Sequence, residues 1–305
     1  MGISRNLSSA DGTPLCADLY PLPPAAAPAP AGVEPTAPGS GSAAVPPPAR
    51  GTVVVLHGYC EHRGRYRHVA AHLNRNGYHV LVGDLRGHGG SAGERGFVRR
   101  FTDYLEDTQA FLDCAASALP TAGAKPILLG HSMGGLVGLQ FALAFPAALR
   151  ALALSAPFLG LKIAVPGWKR SLGLAASLLK PTLRLPSGLK SADLSHDPEV
   201  GRSYDADPLV THHATARWFT EIIAAQADLR ARAGRIHVPT LMQVAGDDRI
   251  VDSAVSQVIF DRLGASDKNL TVYPGLFHEI FNETESDQQR VLADLTNWLA
   301  ERCRP

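Results

Sequence analysis

Cysteine is scarce and unpaired in this sequence: Cys16, Cys60, Cys114 and Cys303 are the only four, and they lie far apart. That spacing argues against a disulfide framework or a cysteine-rich zinc site and fits the reduced thiols of a cytoplasmic protein. Charge of one sign is scarcer still, with a formal net charge of +1 over 305 residues. A dedicated nucleic-acid binder concentrates basic residues, so no nucleic-acid partner is expected. Long hydrophobic runs are missing as well. No stretch reaches the roughly 20 apolar residues of a membrane-spanning helix. No apolar signal-peptide core follows Met1–Asn6. Any membrane contact is therefore expected to be peripheral.

What remains is a chain with 45% hydrophobic residues, enough for a sizeable core. Residues 1–20 read as a β-hairpin, with Ile3–Ser8 and Pro14–Leu22 flanking the turn dipeptide Asp11-Gly12. Residues 21–50 are mostly Pro, Ala, Gly and Ser. Such a segment cannot bury enough surface to offset its ordering entropy and reads as a disordered insertion. From Gly51 the pattern alternates. Thr52–Leu56, Tyr78–Val82, Pro126–Leu129 and Ala151–Leu154 are strand-like. Tyr66–Asn74, Phe101–Leu119 and Met133–Phe145 read as helices between them, with Thr102 as an N-cap. Strands separated by helices imply right-handed crossovers and a mostly parallel sheet with helices on both faces. The alternation stops at Pro157 and resumes with Thr240–Ala245 (strand), Ser253–Leu263 (helix), Leu270–Tyr273 (strand) and Glu285–Cys303 (helix). Residues 51–156 and 238–305 thus form one α/β core. Residues 157–237, helical and without a convincing strand, read as an inserted lid.

The densest chemical signal is Gly130-His131-Ser132-Met133-Gly134, placed where a strand hands over to a helix. This is the nucleophile elbow of the α/β-hydrolase fold, and that fold class is the expectation. Gly130 and Gly134 let neighbouring backbone approach closely while the Ser132 hydroxyl is pushed out above the sheet. A serine needs a base, and in this fold the triad runs Ser, acid, His along the chain. His278 follows a late strand, and no histidine comes after it. The acid comes from Asp247, Asp248 or Asp252. Asp248 is expected to fix the histidine tautomer, Asp247 to face water, and Asp252 to serve the next helix N-terminus. Backbone N–H donors for an oxyanion are expected from Met133, after the nucleophile, and from Tyr59, in the loop after the first parallel strand. Cys60 adjoins Tyr59, and bulky thiol reagents are expected to crowd that loop.

Together these residues resemble the monoacylglycerol lipase and lysophospholipase branch of the α/β hydrolases. The resemblance rests on His57-Gly58-Tyr59-Cys60-Glu61-His62-Arg63-Gly64-Arg65-Tyr66, on Asp84-Leu85-Arg86-Gly87-His88-Gly89 with Ser91, and on Gly130–Gly135. It continues through Asp248–Asp252 and Gly275–Glu279, and covers Gly51 to the C-terminus. It implies a triad of Ser132, Asp248 and His278, oxyanion amides at Tyr59 and Met133, and no cofactor. The substrate it implies is a single-chain lipid ester, monoacylglycerol first and lysophospholipid second. A peptidase or small-ester hydrolase on the same triad is the alternative enzyme. A peptidase holding a free α-amino group needs a nearby carboxylate, and Phe158–Ala192 contains no Asp or Glu. A non-enzymatic binding protein is disfavoured because no triad member is missing. No metal site is expected.

The charges from Phe158 to Ala192 are all positive: Lys162, Lys169, Arg170, Lys180, Arg184 and Lys190. They accompany an apolar stretch in which Trp168, Leu172, Ala175 and Leu179 share one helical face. Apolar side chains beside cations suit contact with an anionic membrane surface, made through the lid.

Overall fold

The computed structural model describes residues 2–23, 49–119, 121, 124–162 and 167–303, without the side chains of residues 168–170. The expected disordered insertion falls for the most part outside the described residues. Its flanks are tied down: the Leu22 amide donates to His79 Nδ1 at 2.9 Å, and the Arg50 amide to the Gly77 carbonyl at 2.9 Å.

The elements run β1 (Ile3–Ser8), β2 (Pro14–Tyr20), β3 (Gly51–Leu56), α1 (Arg67–Arg75), β4 (Tyr78–Asp84), α2 (Thr102–Ala118), β5 (Ile127–His131), α3 (Met133–Ala144) and β6 (Ala151–Ser155). They continue with α4 (Gly167–Leu179), β7 (Arg184–Pro186), α5 (Pro198–Ala206), β8 (His213–Thr215) and α6 (Ala216–Arg232). The chain closes with β9 (Thr240–Ala245), α7 (Ser253–Arg262), β10 (Lys268–Tyr273) and α8 (Glu285–Arg302). Eight strands form one sheet in the order β1-β2-β4-β3-β5-β6-β9-β10. The strands from β4 to β10 pair parallel, while β2 is antiparallel to both β1 and β4.

Alternation along the strands builds two cores. Val53 and Val55 of β3 face one side, where they join residues of α1 and α8. Val54 and Leu56 face the other, with residues of α2, α3, α6 and α7. A strand covered on both faces must be apolar at every position, which is why β3 reads as an unbroken β-branched run.

Two local expectations are corrected. Thr102 does not cap α2: it is the first helical residue, and Phe101 precedes it in helical conformation without a side-chain cap. The Asp103 carboxylate accepts the Arg100 amide at 3.1 Å instead, and the Phe101 amide goes to Glu221 at 2.9 Å. The segment between β6 and β9 is not free of strands. β7 and β8 form a small antiparallel ribbon, with Leu185 opposite Ala214. Strands of three residues are too short to show any periodicity.

Candidate active site

The carboxyl ends of β3, β5, β9 and β10 carry the candidate residues. At the end of β5, Ser132 adopts φ +51° and ψ −115°, an unfavourable conformation for a residue with a Cβ. Its neighbours hold it there. The Ser132 amide donates to the Ser155 carbonyl at 3.0 Å, and its carbonyl accepts the amides of Gly135, Leu136 and Phe158. A Cβ on Gly130 would collide with the Gly134 carbonyl, and one on Gly134 with the Leu56 carbonyl. The glycines are thus required by close backbone approach. α3 begins at Met133, so its N-terminus opens on the serine.

His278 lies in the loop after β10. Its Nε2 is 2.9 Å from Ser132 Oγ, and its Nδ1 is 2.7 Å from Asp248 Oδ2. Asp248 Oδ1 accepts the amides of Ile250 and Val251, each at 2.8 Å. The remaining oxygen is therefore left for the histidine. Burial alone would lower the His278 pKa, but the charge and hydrogen bond of Asp248 outweigh it and raise it. Burial likewise works against the Asp248 carboxylate, and His278 with the two amides outweighs it, holding the carboxyl below its usual range. Asp247 is exposed, and Asp252 caps α7 by accepting the Ala254 amide at 3.0 Å. Of the three aspartates, the geometry joins only Asp248 to the histidine.

The Gly58–Tyr59 peptide passes beside the serine, since a Cβ on Gly58 would sit 3.1 Å from Ser132 Cβ. Neither the Tyr59 nor the Met133 amide has a hydrogen-bond partner among the described residues. Both are therefore free to donate to a negative oxygen at the serine. Cys60 corrects an expectation. It is 0% exposed, and burial pushes its thiol far above the usual range, so it is not a ready target for thiol reagents.

A cavity of about 540 Å³ opens from Ser132 and His278. Its wall includes the polar residues Glu61, Glu279, His131 and Tyr204, and three of them, Glu61, Glu279 and Tyr204, gather on Arg65. Its apolar lining includes Leu172, Leu183, Leu185, Phe219, Ile222 and Ile223 from the segment between β6 and β9, and Ile250 from the loop after β9. Glu61 Oε1 accepts the Gly58 amide and the Tyr66 hydroxyl, each at 2.6 Å. Arg65 bonds Glu279 at 2.6 Å and stands 3.6 Å from Glu61 Oε2. Glu61 Oε2 and the Tyr204 hydroxyl are buried with no hydrogen-bond partner among the described residues. Burial, then the neighbouring His278, pushes His131 down to about 3, so it stays neutral beside the catalytic candidates.

These polar residues escaped sequence reasoning as site residues. Glu61 and Arg65 stood in a conspicuous charged run directly after the expected oxyanion loop, which was the available signal. The carboxylates absent from Phe158–Ala192 are supplied here by Glu61 and Glu279, from elsewhere in the chain. Tyr204 carried no local signal at all, and neither did Trp218, which also lines the cavity.

The sheet order, the strained serine between strand and helix, and the late histidine define an α/β hydrolase. The chain belongs to the serine aminopeptidase S33 family, whose profile matches residues 47–285. It is 36% identical to the monoacylglycerol lipase of Mycolicibacterium smegmatis, over 82% of this chain and 88% of that one. It is 32% identical to phospholipase YtpA of Bacillus subtilis, over 77% of this chain and 90% of that one. The crystal structure of Paleococcus ferrophilus monoacylglycerol lipase superposes with a TM-score of 0.77 at 29% identity, covering 84% of this chain and 96% of that one.

Proposed function

We propose that this chain hydrolyses the carboxylic ester of monoacylglycerols through an acyl-enzyme on Ser132. The observation that carries the reading is the lining of the cavity at Ser132: a majority of apolar side chains, with a polar group of Glu61, Glu279 and Tyr204 gathered on Arg65. An acyl chain fits the first. A hydroxylated head group fits beside the second, among Glu61, Glu279 and Tyr204. In the first step Ser132 Oγ attacks the ester carbonyl while His278 Nε2 takes its proton. The amides of Tyr59 and Met133 receive the negative oxygen. The glycerol oxygen leaves with the proton from His278. Water, deprotonated by the same histidine, then releases the fatty acid.

A lysophospholipid is the second reading, in keeping with the phospholipase relative. Against it, the polar group sets two carboxylates, Glu61 and Glu279, beside the single guanidinium of Arg65, which opposes a phosphate. An aminopeptidase reading meets a different obstacle, because the Arg65 guanidinium already faces both carboxylates, Glu279 at 2.6 Å and Glu61 at 3.6 Å, and opposes an ammonium there. The test is a matched panel of monoacylglycerol, lysophosphatidylcholine, p-nitrophenyl ester and aminoacyl-anilide, with Ser132→Ala as the inactive control. The first is expected to turn over fastest. Faster turnover of the phosphodiester-bearing lipid or the anilide would overturn the assignment.

Residues 157–237 act in this reading as a lid that rests on an anionic membrane surface. No helix among the described residues is long and apolar enough to cross a membrane. What supports surface contact is α4: Leu172, Leu174, Leu178 and Leu179 are 61%, 56%, 69% and 88% exposed. Lys180 follows them, and Lys162 and Lys190 are exposed as well, whereas Arg184 is paired with Glu94. The side chains of Trp168, Lys169 and Arg170 lie outside the described residues. Each basic residue near an anionic surface contributes on the order of 1 kcal/mol, weakened by salt. Co-sedimentation with anionic but not zwitterionic vesicles is expected, lost at high salt and reduced in Leu178→Ser, Leu179→Ser. Binding indifferent to salt and to these substitutions would remove the membrane from the account.

A further inference from the structure

The two residues that offer the oxyanion amides come from separate parts of the sheet, Tyr59 after β3 and Met133 after β5. One side chain grips both. The Trp218 indole stacks on the Tyr59 ring, with centroids 3.5 Å apart and planes at 21°. Its Nε1–H points at Met133 Sδ, 3.4 Å away. Trp218 and Met133 are buried, and Trp218 belongs to the first turn of α6, within the inserted segment. That turn is itself anchored. Thr215 caps it and donates its hydroxyl to the Gly96 carbonyl at 2.7 Å, which also receives the Tyr59 hydroxyl at 3.0 Å. The Tyr59 hydroxyl is within 3.2 Å of the His213 carbonyl too, and the Thr211 amide donates to the Cys60 carbonyl at 3.1 Å. The loop needs such help: Cys60, directly after Tyr59, has φ +67°, a conformation that a residue with a Cβ holds only when its surroundings impose it.

We propose that Trp218 is the positioning residue of the oxyanion site, setting both amides from the inserted segment, so that the seating of α6 governs the rate of the chemical step. The inference rests on the reading of the Tyr59 and Met133 amides as the oxyanion donors. The physical basis is tolerance. Donors act at roughly 2.7–3.1 Å from the developing oxygen, and a misplacement of about 1 Å can cost about a hundredfold in rate. A side chain that fixes two peptide groups at once therefore acts on the transition state. A residue that merely walls the cavity acts on substrate and transition state alike.

The experiment separates these roles with two inhibitors. A trifluoromethyl ketone forms a tetrahedral adduct on Ser132 and places a negative oxygen between the amides. An ether analogue of monoacylglycerol fills the same cavity without one. Trp218→Leu, which removes the stack and the N–H, is expected to lower kcat on a soluble butyrate ester about 10- to 100-fold. Trp218 also lines the cavity, so both inhibitors lose wall contacts, and the ketone should weaken about 10-fold or more beyond the ether analogue. Trp218→Phe keeps an aromatic ring against Tyr59 and loses the N–H with the fused ring, and Met133→Leu loses the sulfur in a side chain of similar volume, so each removes the N–H···S link. Their double variant should therefore be no worse than either single one. Equal weakening of ketone and ether, unchanged kcat in Trp218→Leu, or additive losses in the double variant would overturn the proposal. If Trp218→Leu does not fold, the conservative pair decides alone. A wild type that neither hydrolyses the ester nor binds the ketone would instead bring down the site assignment itself.

Discussion

Asp248→Asn is the substitution whose outcome the geometry constrains most tightly. Asp248 Oδ1 accepts the amides of Ile250 and Val251, and Oδ2 faces His278 Nδ1 at 2.7 Å. An asparagine has one oxygen and one NH2. Turning the NH2 toward the two backbone amides would leave both unsatisfied in a buried site, at about 1–3 kcal/mol each. The oxygen therefore stays with them, and the NH2 faces the histidine. Nδ1 must then accept, which moves the ring proton to Nε2, the atom that takes the proton of Ser132 in the proposed mechanism. The fold survives and the base is disarmed. A wrong tautomer in such a triad costs about 10⁴ in kcat, or about 5.5 kcal/mol of barrier. Asp252→Asn should keep activity, because asparagine caps a helix as well as aspartate does. Asp247→Asn should as well, because that side chain is exposed. The assay is kcat on a soluble ester for the three variants, with melting temperatures beside it. An Asp248→Asn enzyme within tenfold of wild type, or a deeper loss in Asp252→Asn, would refute the reasoning.

Three further outcomes are expected. Since His278 must be neutral to act as base and Asp248 raises its pKa, kcat/KM should fall as pH drops through a midpoint above the ordinary histidine value. His131, held near 3, should leave that limb with a slope of one in a log–log profile, and a slope of two would contradict it. Gly58→Ala places a Cβ 2.7 Å from Glu61 Oε1 and 3.1 Å from Ser132 Cβ, so kcat should drop at least about a hundredfold with the melting temperature largely kept. A bulky maleimide should spare Cys60 and leave activity intact, with partly exposed Cys16 or Cys114 labelled first. Peptide mass mapping reads this directly, and rapid modification of Cys60 in the folded protein would show that the loop opens.

The sheet was legible because its physics is local. β-branched runs such as Thr52–Leu56 announce strands buried on both faces, and their alternation with amphipathic segments imposes parallel crossovers. The elbow was legible because only glycine tolerates the contacts around Gly130 and Gly134. From the serine, chain order led to one late histidine and a cluster of three aspartates. Asp252 could be set aside by its place before a helix. The polar group gathered on Arg65 was not legible. Arg65 and Glu279 are 214 positions apart, and nothing in either neighbourhood announces the other. The same holds for Trp218, which meets Met133 across 85 positions. Thr102 shows a different limit: a good capping residue at a helix start was outcompeted by carboxylates at Asp103 and Glu221, the second contributed by a remote helix.

The peptide between Gly58 and Tyr59 shows how such long-range contacts combine into chemistry. The Leu85 amide donates to His57 Nε2 at 3.0 Å, so the ring proton sits on Nδ1, which donates to the Gly58 carbonyl at 2.6 Å. Burial pushes the His57 pKa down, so this neutral form persists. On the other side, Glu61 Oε1 takes the Gly58 amide. That carbonyl and the Tyr59 amide belong to one planar unit, so fixing the oxygen fixes the direction of the N–H. A hydrogen bond at the carbonyl also polarises the unit and strengthens its donor. With Trp218 against the ring, His57 at the carbonyl and Glu61 on the Gly58 amide, the Tyr59 N–H is left without a partner among the described residues. A donor held that firmly needs no reorganisation when charge appears, which is the condition under which a backbone amide stabilises an oxyanion better than water does.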